Sequence, residues 1–368
     1  MNHEPLHQSS LLRIVTTLII ALSGGTFFQL LHVPVPWFLG PMTGVLIGSR
    51  FSRISLYWPA KLRNTGMIIV GYSMGLSFSV KTLHQILIQL PFIVLLTILL
   101  IAASSIIALL VSKLSGIDYP TILTGSIPGG LSQMVLLAEE TKGIDITVVT
   151  FLQVTRQMMI IFLVPLYIFN PLFGINRSQL LPPHMFKEAE WGLWFPNMCI
   201  FAGACLLCAF LGRKIKMPTS YLVGPILGTA ILTISGLQGP SLPVPVIGLS
   251  QFMIGTYVGL LLKPEQLASK AKIVFLSLLS GLFLLLTSLV LSLFLIVFYG
   301  ASYSTSYLSL APGGMDQMGI LAHEVNANLS MVVGFQLFRL FFIFFVIPPV
   351  LKLVFKKVIK RSDTSLSK

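Results

Sequence analysis

Long apolar runs, separated by short polar or basic turns, fill this chain almost from end to end. Leu11–Leu31 comes first, then the rigid turn Val33-Pro-Val-Pro36 and a shorter run, Trp37–Phe51. Leu62–Phe78, Ile86–Val111, Tyr119–Glu140 and Ile146–Phe169 follow. Runs such as Pro91–Val111 and Ile273–Tyr299 exceed the ~20 residues that an α-helix needs to cross a bilayer. The pattern therefore predicts an all-α polytopic membrane protein. Leu11–Leu31 is too long for the apolar region of a cleaved signal. Tyr119–Glu140 breaks the continuity, because Pro128-Gly129-Gly130 stands in its middle. Proline removes a donor and clashes with the preceding turn, and glycine permits positive φ, so a broken helix is predicted there.

The break occurs twice. Ile127-Pro-Gly-Gly-Leu-Ser-Gln-Met134 returns as Ala311-Pro-Gly-Gly-Met-Asp-Gln-Met318, displaced by 312 − 128 = 184 positions. The same offset carries Pro34, Gly40, Pro41 and Gly44 onto Pro218, Gly224, Pro225 and Gly228, and Trp37 onto Tyr221. It also carries Gly71 and Gly75, whose small-xxx-small spacing lets helices approach closely, onto Gly255 and Gly259. Beyond an acidic turn the offset drops to 183, taking Gln153, Arg156 and Pro165 onto Gln336, Arg339 and Pro348. So constant a displacement of rare residues marks an internal duplication. It divides the chain into a polar tail (1–10), repeat 1 (11–169), a polar linker (170–191), repeat 2 (192–355) and a basic tail (356–368).

Composition agrees with the pattern. The 368 residues are 55% hydrophobic and 10% charged, too few charges to solvate a soluble surface. A net charge of +13 would point to nucleic acid in a soluble protein. Here the basic residues cluster in short loops, Arg50 to Arg63, Arg213 to Lys216 and Lys352 to Arg361, as in cytoplasmic anchors beside anionic lipid. No separate polar domain exists to read DNA. The first of these loops follows the second run of repeat 1, whereas in repeat 2 the positive loops follow the first and third runs. If basic loops are cytoplasmic, the repeats are inverted and each crosses an odd number of times. Five crossings plus one re-entrant Pro-Gly-Gly hairpin per repeat meets that condition and leaves both termini inside. A parallel repeat with six crossings would put Arg213–Lys216 outside. The location expected is the inner (plasma) membrane, multi-pass, with a cytoplasmic C-terminal tail.

Paired broken helices are the best sequence pointer to a transporter-type binding site. The half-helices starting near Leu131 and Met315 would aim unpaired N–H groups and positive dipole ends inward, suited to an anion. Gly129, Gly130, Gly313 and Gly314 would line that site. Ser132 and Asp316 suit either helix capping or ligand contact. Gln133 and Gln317 are amides that must find partners at that depth. Arg156 and Arg339 lie well inside apolar spans, where a guanidinium needs a carboxylate, a ring of carbonyls or an anionic ligand. Each reads equally as a clamp on the hairpin, for instance Arg339 on Asp316, or as a substrate anchor. Gln153 and Gln336 share the arginine faces. Glu139, Glu140, His323 and Glu324, at the ends of the returning half-helices, are interfacial or proton-coupling groups.

No histidine set has metal-ligand spacing, no nucleotide-binding glycine loop or Ser/His/Asp arrangement is present, and neither a cofactor nor an enzymatic activity is expected. Cys199, Cys205 and Cys208 share one apolar span and read as small fillers.

The repeated Pro-Gly-Gly-x-x-Gln-Met run, the acidic turn and the Gln-x-x-Arg helix resemble the AbrB-type bacterial membrane proteins with an internal duplication. The resemblance runs from about Leu11 to Leu353. Members of that family have been labelled regulators of gene expression and, elsewhere, ammonia monooxygenases. The second label fits poorly, since no histidine cluster for copper or iron exists. The resemblance implies regulation only indirectly, through a moved metabolite or a signalling partner. The sequence thus predicts a secondary transporter of a small anionic solute, with a membrane-embedded regulator or sensor as the alternative and an enzyme third. Expected partners are membrane lipid and a small-molecule or ion substrate, without direct nucleic-acid contact; a homo-oligomer is allowed.

Overall fold

The computed structural model describes residues 10–33, 35–51, 55–129, 131–141, 143–169, 191–261 and 271–351. Among them the secondary structure is helical, with no strand. The first half of the chain holds α1 (Ser10–Leu30), α2 (Pro36–Phe51), α3 (Ala60–Gly75), α4 (Val80–Ser115), α5 (Tyr119–Ser126), α6 (Leu131–Glu140) and α7 (Ile146–Ile168). The second half holds α8 (Trp191–Lys214), α9 (Ser220–Ile234), α10 (Val244–Leu261), α11 (Ala271–Tyr299), α12 (Tyr303–Leu310), α13 (Met315–Glu324) and α14 (Leu329–Phe345). Both Pro-Gly-Gly runs interrupt helices, as the sequence requires.

Among the described residues, six helices are long and apolar enough to cross a membrane: α1, α4, α7, α8, α10 and α11. Only 17% of the apolar window of α1 and 22% of that of α8 are buried, so these faces need an apolar solvent. That is a multi-pass membrane protein. The remaining long segments, α2, α3, α9 and α14, have 16, 16, 15 and 17 residues. At 1.5 Å per residue they reach about 22–26 Å, short of the ~30 Å hydrocarbon core.

The chain forms two compact units, and neither coincides with a sequence repeat. The first comprises residues 1–83, 165–266 and 319–330, hence α1–α3 together with α8–α10. Glycine allows backbones to touch here. A β-carbon on Gly71 would lie 2.7 Å from the Leu222 carbonyl oxygen, and one on Gly255 2.4 Å from that of Phe38. Gly75 approaches Ile226 O in the same way, and Gly259 approaches Met42 O. These pairs are reciprocal, since Phe38 and Met42 are the offset partners of Leu222 and Ile226. Residue numbers rise together in both sets, so α3 runs parallel to α9 and α2 runs parallel to α10. By contrast α3 opposes α10, with Arg63 over the Tyr257 ring, Gly66 against Ser250 and Ile254, and Val70 and Ser73 beside Ile247 and Gln251.

The second unit comprises residues 84–164, 267–318 and 331–368, hence α4–α7, α11, α12, the start of α13 and most of α14. One apolar core joins Ile122, Ile127, Met134 and Leu152 to Ile343 and Ile347, all buried. Another joins Leu96 and Leu100 of α4 to Leu291 and Leu295 of α11. Both Pro-Gly-Gly breaks lie in this unit.

Candidate functional site

Each half-helix before a break is started by a side-chain cap and stopped by proline. Asp118 accepts from the Thr121 N–H at 2.9 Å to begin α5, and Ser302 accepts from Thr305 N–H at 3.3 Å to begin α12. Ile127 and Ala311 then take extended backbone (ψ 130° and 129°), because a residue preceding proline is driven out of the helical region. The last carbonyls of α5 and α12 are thereby left without helical donors.

The Gln-x-x-Arg pairs supply those donors. Arg156 Nη1 donates to the carbonyls of Gly125 (3.4 Å), Ser126 (3.1 Å) and Ile127 (2.9 Å), and Nη2 donates to Gln153 Oε1 at 2.6 Å. Gln153 Nε2 adds bonds to Thr124 O (3.1 Å) and Ile127 O (3.0 Å). In repeat 2, Arg339 Nη1 donates to Leu310 O (3.1 Å) and Ala311 O (2.9 Å), and Nη2 to Gly313 O (3.1 Å) and Gln336 Oε1. Gln336 Nε2 donates to Leu308 O (2.8 Å) and Ala311 O (3.2 Å). Arg156 and Arg339 are 4% and 5% exposed. Both sunken guanidinium groups thus meet carbonyls at the negative ends of half-helices.

The two breaks also seat on each other's arginine helices. A β-carbon on Gly129 would lie 3.1 Å from Ile343 of α14, and one on Gly313 would lie 2.9 Å from Ile160 of α7. Ile160 and Ile343 are themselves offset partners. Each break is further closed by the methionine of its own motif, Met134 or Met318. At Gly314 an added β-carbon would meet Asp316 Oδ1 at 2.5 Å, and Gln157 Nε2 and Gln317 Cδ at 3.4 Å each. Gln317, 3% exposed, accepts the Gly314 N–H at 3.3 Å. That is the return arm of a capping box at the start of α13.

The other candidate residues fall as follows. Gly130 and the side chains of Ser132, Gln133 and Glu140 lie outside the described residues. Glu139 is exposed in the second unit. His323, also exposed, and half-buried Glu324 belong to the first unit. There Glu324 Oε1 accepts from Gln251 Nε2 at 3.1 Å, beside a cavity of about 20 Å³ lined by Ser73, Gln251 and His323 among others. Such a volume holds a single water. Among the described residues, no group of three His, Cys, Asp or Glu side chains could hold a metal ion. Cys205 is buried with Sγ 3.3 Å from Thr229 Oγ1.

Sequence reasoning passed over several polar groups. Gln251 is 3% exposed and stands where the offset places Met67. Gln157 adjoins Arg156 and stands where the offset places Leu340. A search for polar residues unmatched between repeats would have found both. Among the described residues, Ser126 Oγ, Thr155 Oγ1, Arg156 Nε and Ser306 Oγ are buried without a hydrogen-bond partner; the same search finds the three hydroxyls, whose offset positions hold Leu310, Phe338 and Ile122.

Comparison with known proteins adds the family. A relative from Escherichia coli (strain K12), named "Putative regulator AbrB", is 25% identical over 340 residues, covering 91% of this chain and 94% of the relative. One from Bacillus subtilis (strain 168), named "Uncharacterized protein YhjN", is 22% identical over 369 residues, with 94% of each chain covered. The family described as "Transition state regulatory protein AbrB" matches residues 37–355, which include both breaks and both arginine helices. The chain belongs to the AbrB family.

Proposed function

We propose that this protein is a secondary transporter of a small anionic solute, built from two inverted repeats (11–169 and 192–355) joined by the 170–191 linker. Helix directions within the first unit support inversion. Helix α2 runs with α10, α10 runs against α3, and α3 runs with α9; α2 therefore opposes α9, its own counterpart in the other repeat. Reciprocal contacts of the Gly71–Leu222 and Gly255–Phe38 kind are those of a two-fold relation. On this reading each repeat makes five crossings and one re-entrant excursion, and the basic tail is cytoplasmic, in the plasma membrane.

The observation that carries the transport reading is the meeting of the two breaks, each seated on the other repeat's arginine helix. Irregular backbone of this kind persists at membrane depth where protein or a wet cavity covers it. Half-helix N-termini facing such a point favour negative charge. The substrate-binding set is Gly129, Gly130, Ser132, Gln133, Gly313, Gly314, Asp316 and Gln317. Arg156 and Arg339 add positive charge while holding α5 and α12. Gln153 and Gln336 hold the arginines, and Glu139, Glu140, His323 and Glu324 serve coupling or gating. The chemistry is movement rather than catalysis, with no cofactor.

The test is a thermal-shift screen of small anions (acetate, sulfate and inorganic phosphate first) against purified protein, followed by flux of any stabilising anion in proteoliposomes. Binding to the folded state raises its apparent stability, and a saturable flux supports the reading. No stabilisation by any anion, or flux equal to that of empty liposomes, refutes it. A second reading, a membrane-embedded regulator or sensor, is favoured by the name of the Escherichia coli relative. Saturable binding without flux in either direction selects it.

A further inference from the structure

A cavity lies inside the first unit between α3, α10 and α13, lined by Ser73, Ile247, Gln251 and His323 among others. Its volume, about 20 Å³, admits one particle of a water's size and no organic solute. Gln251 is 3% exposed and spends Nε2 on Glu324 Oε1 at 3.1 Å. Among the described residues no donor reaches Gln251 Oε1. A buried amide oxygen is costly in that state unless a donor or a positive charge meets it. Ser73 brings a second neutral oxygen to the same cavity, and the carboxylate that Gln251 holds brings one negative charge.

The other half of the chain meets the corresponding demand with a fixed charge. The offset of 184 pairs Ile247 with Arg63, Gln251 with Met67, Ser73 with Tyr257 and Glu324 with Glu140. Arg63 lies over the Tyr257 ring, 4.6 Å from its centroid. A guanidinium and an aromatic face thus stand at the positions whose partners line the cavity with an isoleucine and a hydroxyl. Where one half has a built-in cation, the other has a small void and oxygen ligands.

We infer that this cavity binds a monovalent metal cation, sodium or potassium, with Ser73 Oγ and Gln251 Oε1 as ligands and Glu324 as its counter-charge. Hydroxyl and amide oxygens suit a hard cation rather than a transition metal, and a single carboxylate balances a single charge. His323, exposed on the cavity wall, marks the side from which the ion enters. That the ion drives movement of the solute rests on the transporter reading above; its binding does not.

The test is the melting midpoint of purified full-length protein in N-methyl-D-glucamine chloride, with sodium or potassium exchanged in at constant ionic strength and chloride. One or both metal ions should raise the midpoint saturably, as a ligand of the folded state does, and comparing the two identifies the ion. Gln251→Met, which installs the residue of the other half, should raise the apparent Kd about ten-fold, the loss of one good contact to a charged group. Ile247→Arg supplies the fixed cation of the other half and should abolish the response. Ser73 is half-buried, so Ser73→Ala, expected to weaken binding in the same direction, carries the test should an α10 variant fail to fold. A midpoint indifferent to both metal ions overturns the inference, since a site for protons alone behaves so. A response that Gln251→Met and Ser73→Ala leave unchanged also overturns it. No solute is present, so a failed anion screen leaves this result standing. Stabilisation by an anion without any effect of either metal ion sinks this inference alone.

Discussion

Replacing Gln336 by leucine nearly conserves side-chain volume and deletes a junction. Gln336 Oε1 accepts from Arg339 Nη2, and Nε2 donates to Leu308 O at 2.8 Å and Ala311 O at 3.2 Å. Ala311 O keeps a second donor, Arg339 Nη1 at 2.9 Å. The main loss is therefore one acceptor for a buried guanidinium, about 1.5–3 kcal/mol for a hydrogen bond to a charged group. Weakened capping of α12 adds roughly 1 kcal/mol. Gln336→Leu should thus cost about 2.5–4 kcal/mol, or on the order of 10 °C in the unfolding midpoint of a unit this size. Gln153→Leu meets the same arithmetic, since Gln153 accepts from Arg156 Nη2 and donates to Thr124 O and Ile127 O. The assay is thermal unfolding of purified protein in detergent, each variant beside wild type. A fall below about 1 °C in either variant would mean that the carbonyls find other donors and the arginine is no clamp. A tolerant copy beside an intolerant one would refute the equivalence of the two sites.

Gly71→Ala and Gly255→Ala should each lower the midpoint by an overpacking cost of about 1–3 kcal/mol, because the new methyl meets a carbonyl oxygen at 2.7 or 2.4 Å; a neutral melt in both would count against the close pairings. Gly319→Ala should cost less than about 1 kcal/mol although the nearest atom is only 1.9 Å away, since that atom is the flexible end of Met74; a midpoint loss like that of Gly255→Ala would show the methionine to be locked. A cysteine placed beside Lys214 should be shielded from an impermeant reagent added outside intact cells; labelling there rejects the inverted topology. Gln251→Leu should release the Glu324 carboxylate and change its exchange with solvent, read as altered carbodiimide reactivity at Glu324; unchanged reactivity would show the 3.1 Å bond to be dispensable.

Much of this was written in the chain. Runs too long and too apolar for a soluble protein required helices in lipid. The Pro-Gly-Gly runs required breaks at Pro128 and Pro312, since no helix carries proline followed by two glycines unbroken. Apolar depth required partners for Arg156 and Arg339. All three follow from local chemistry or from the cost of burying a charge, so the order of residues suffices. Charge placement likewise suggested opposed entry of the repeats.

Tertiary structure decided the choices that depend on which distant segments meet. The guanidinium groups meet carbonyls because proline had already left the ends of α5 and α12 without donors. Gln317, an amide that had to find a partner at that depth, takes the Gly314 N–H at the start of α13. The pairing of Gly71 with Leu222 and Gly255 with Phe38 mixes the repeats, so each compact unit takes helices from both. Sequence proximity cannot foretell this, because each glycine face is equally able to receive any close helix, and only the packing of all of them selects one.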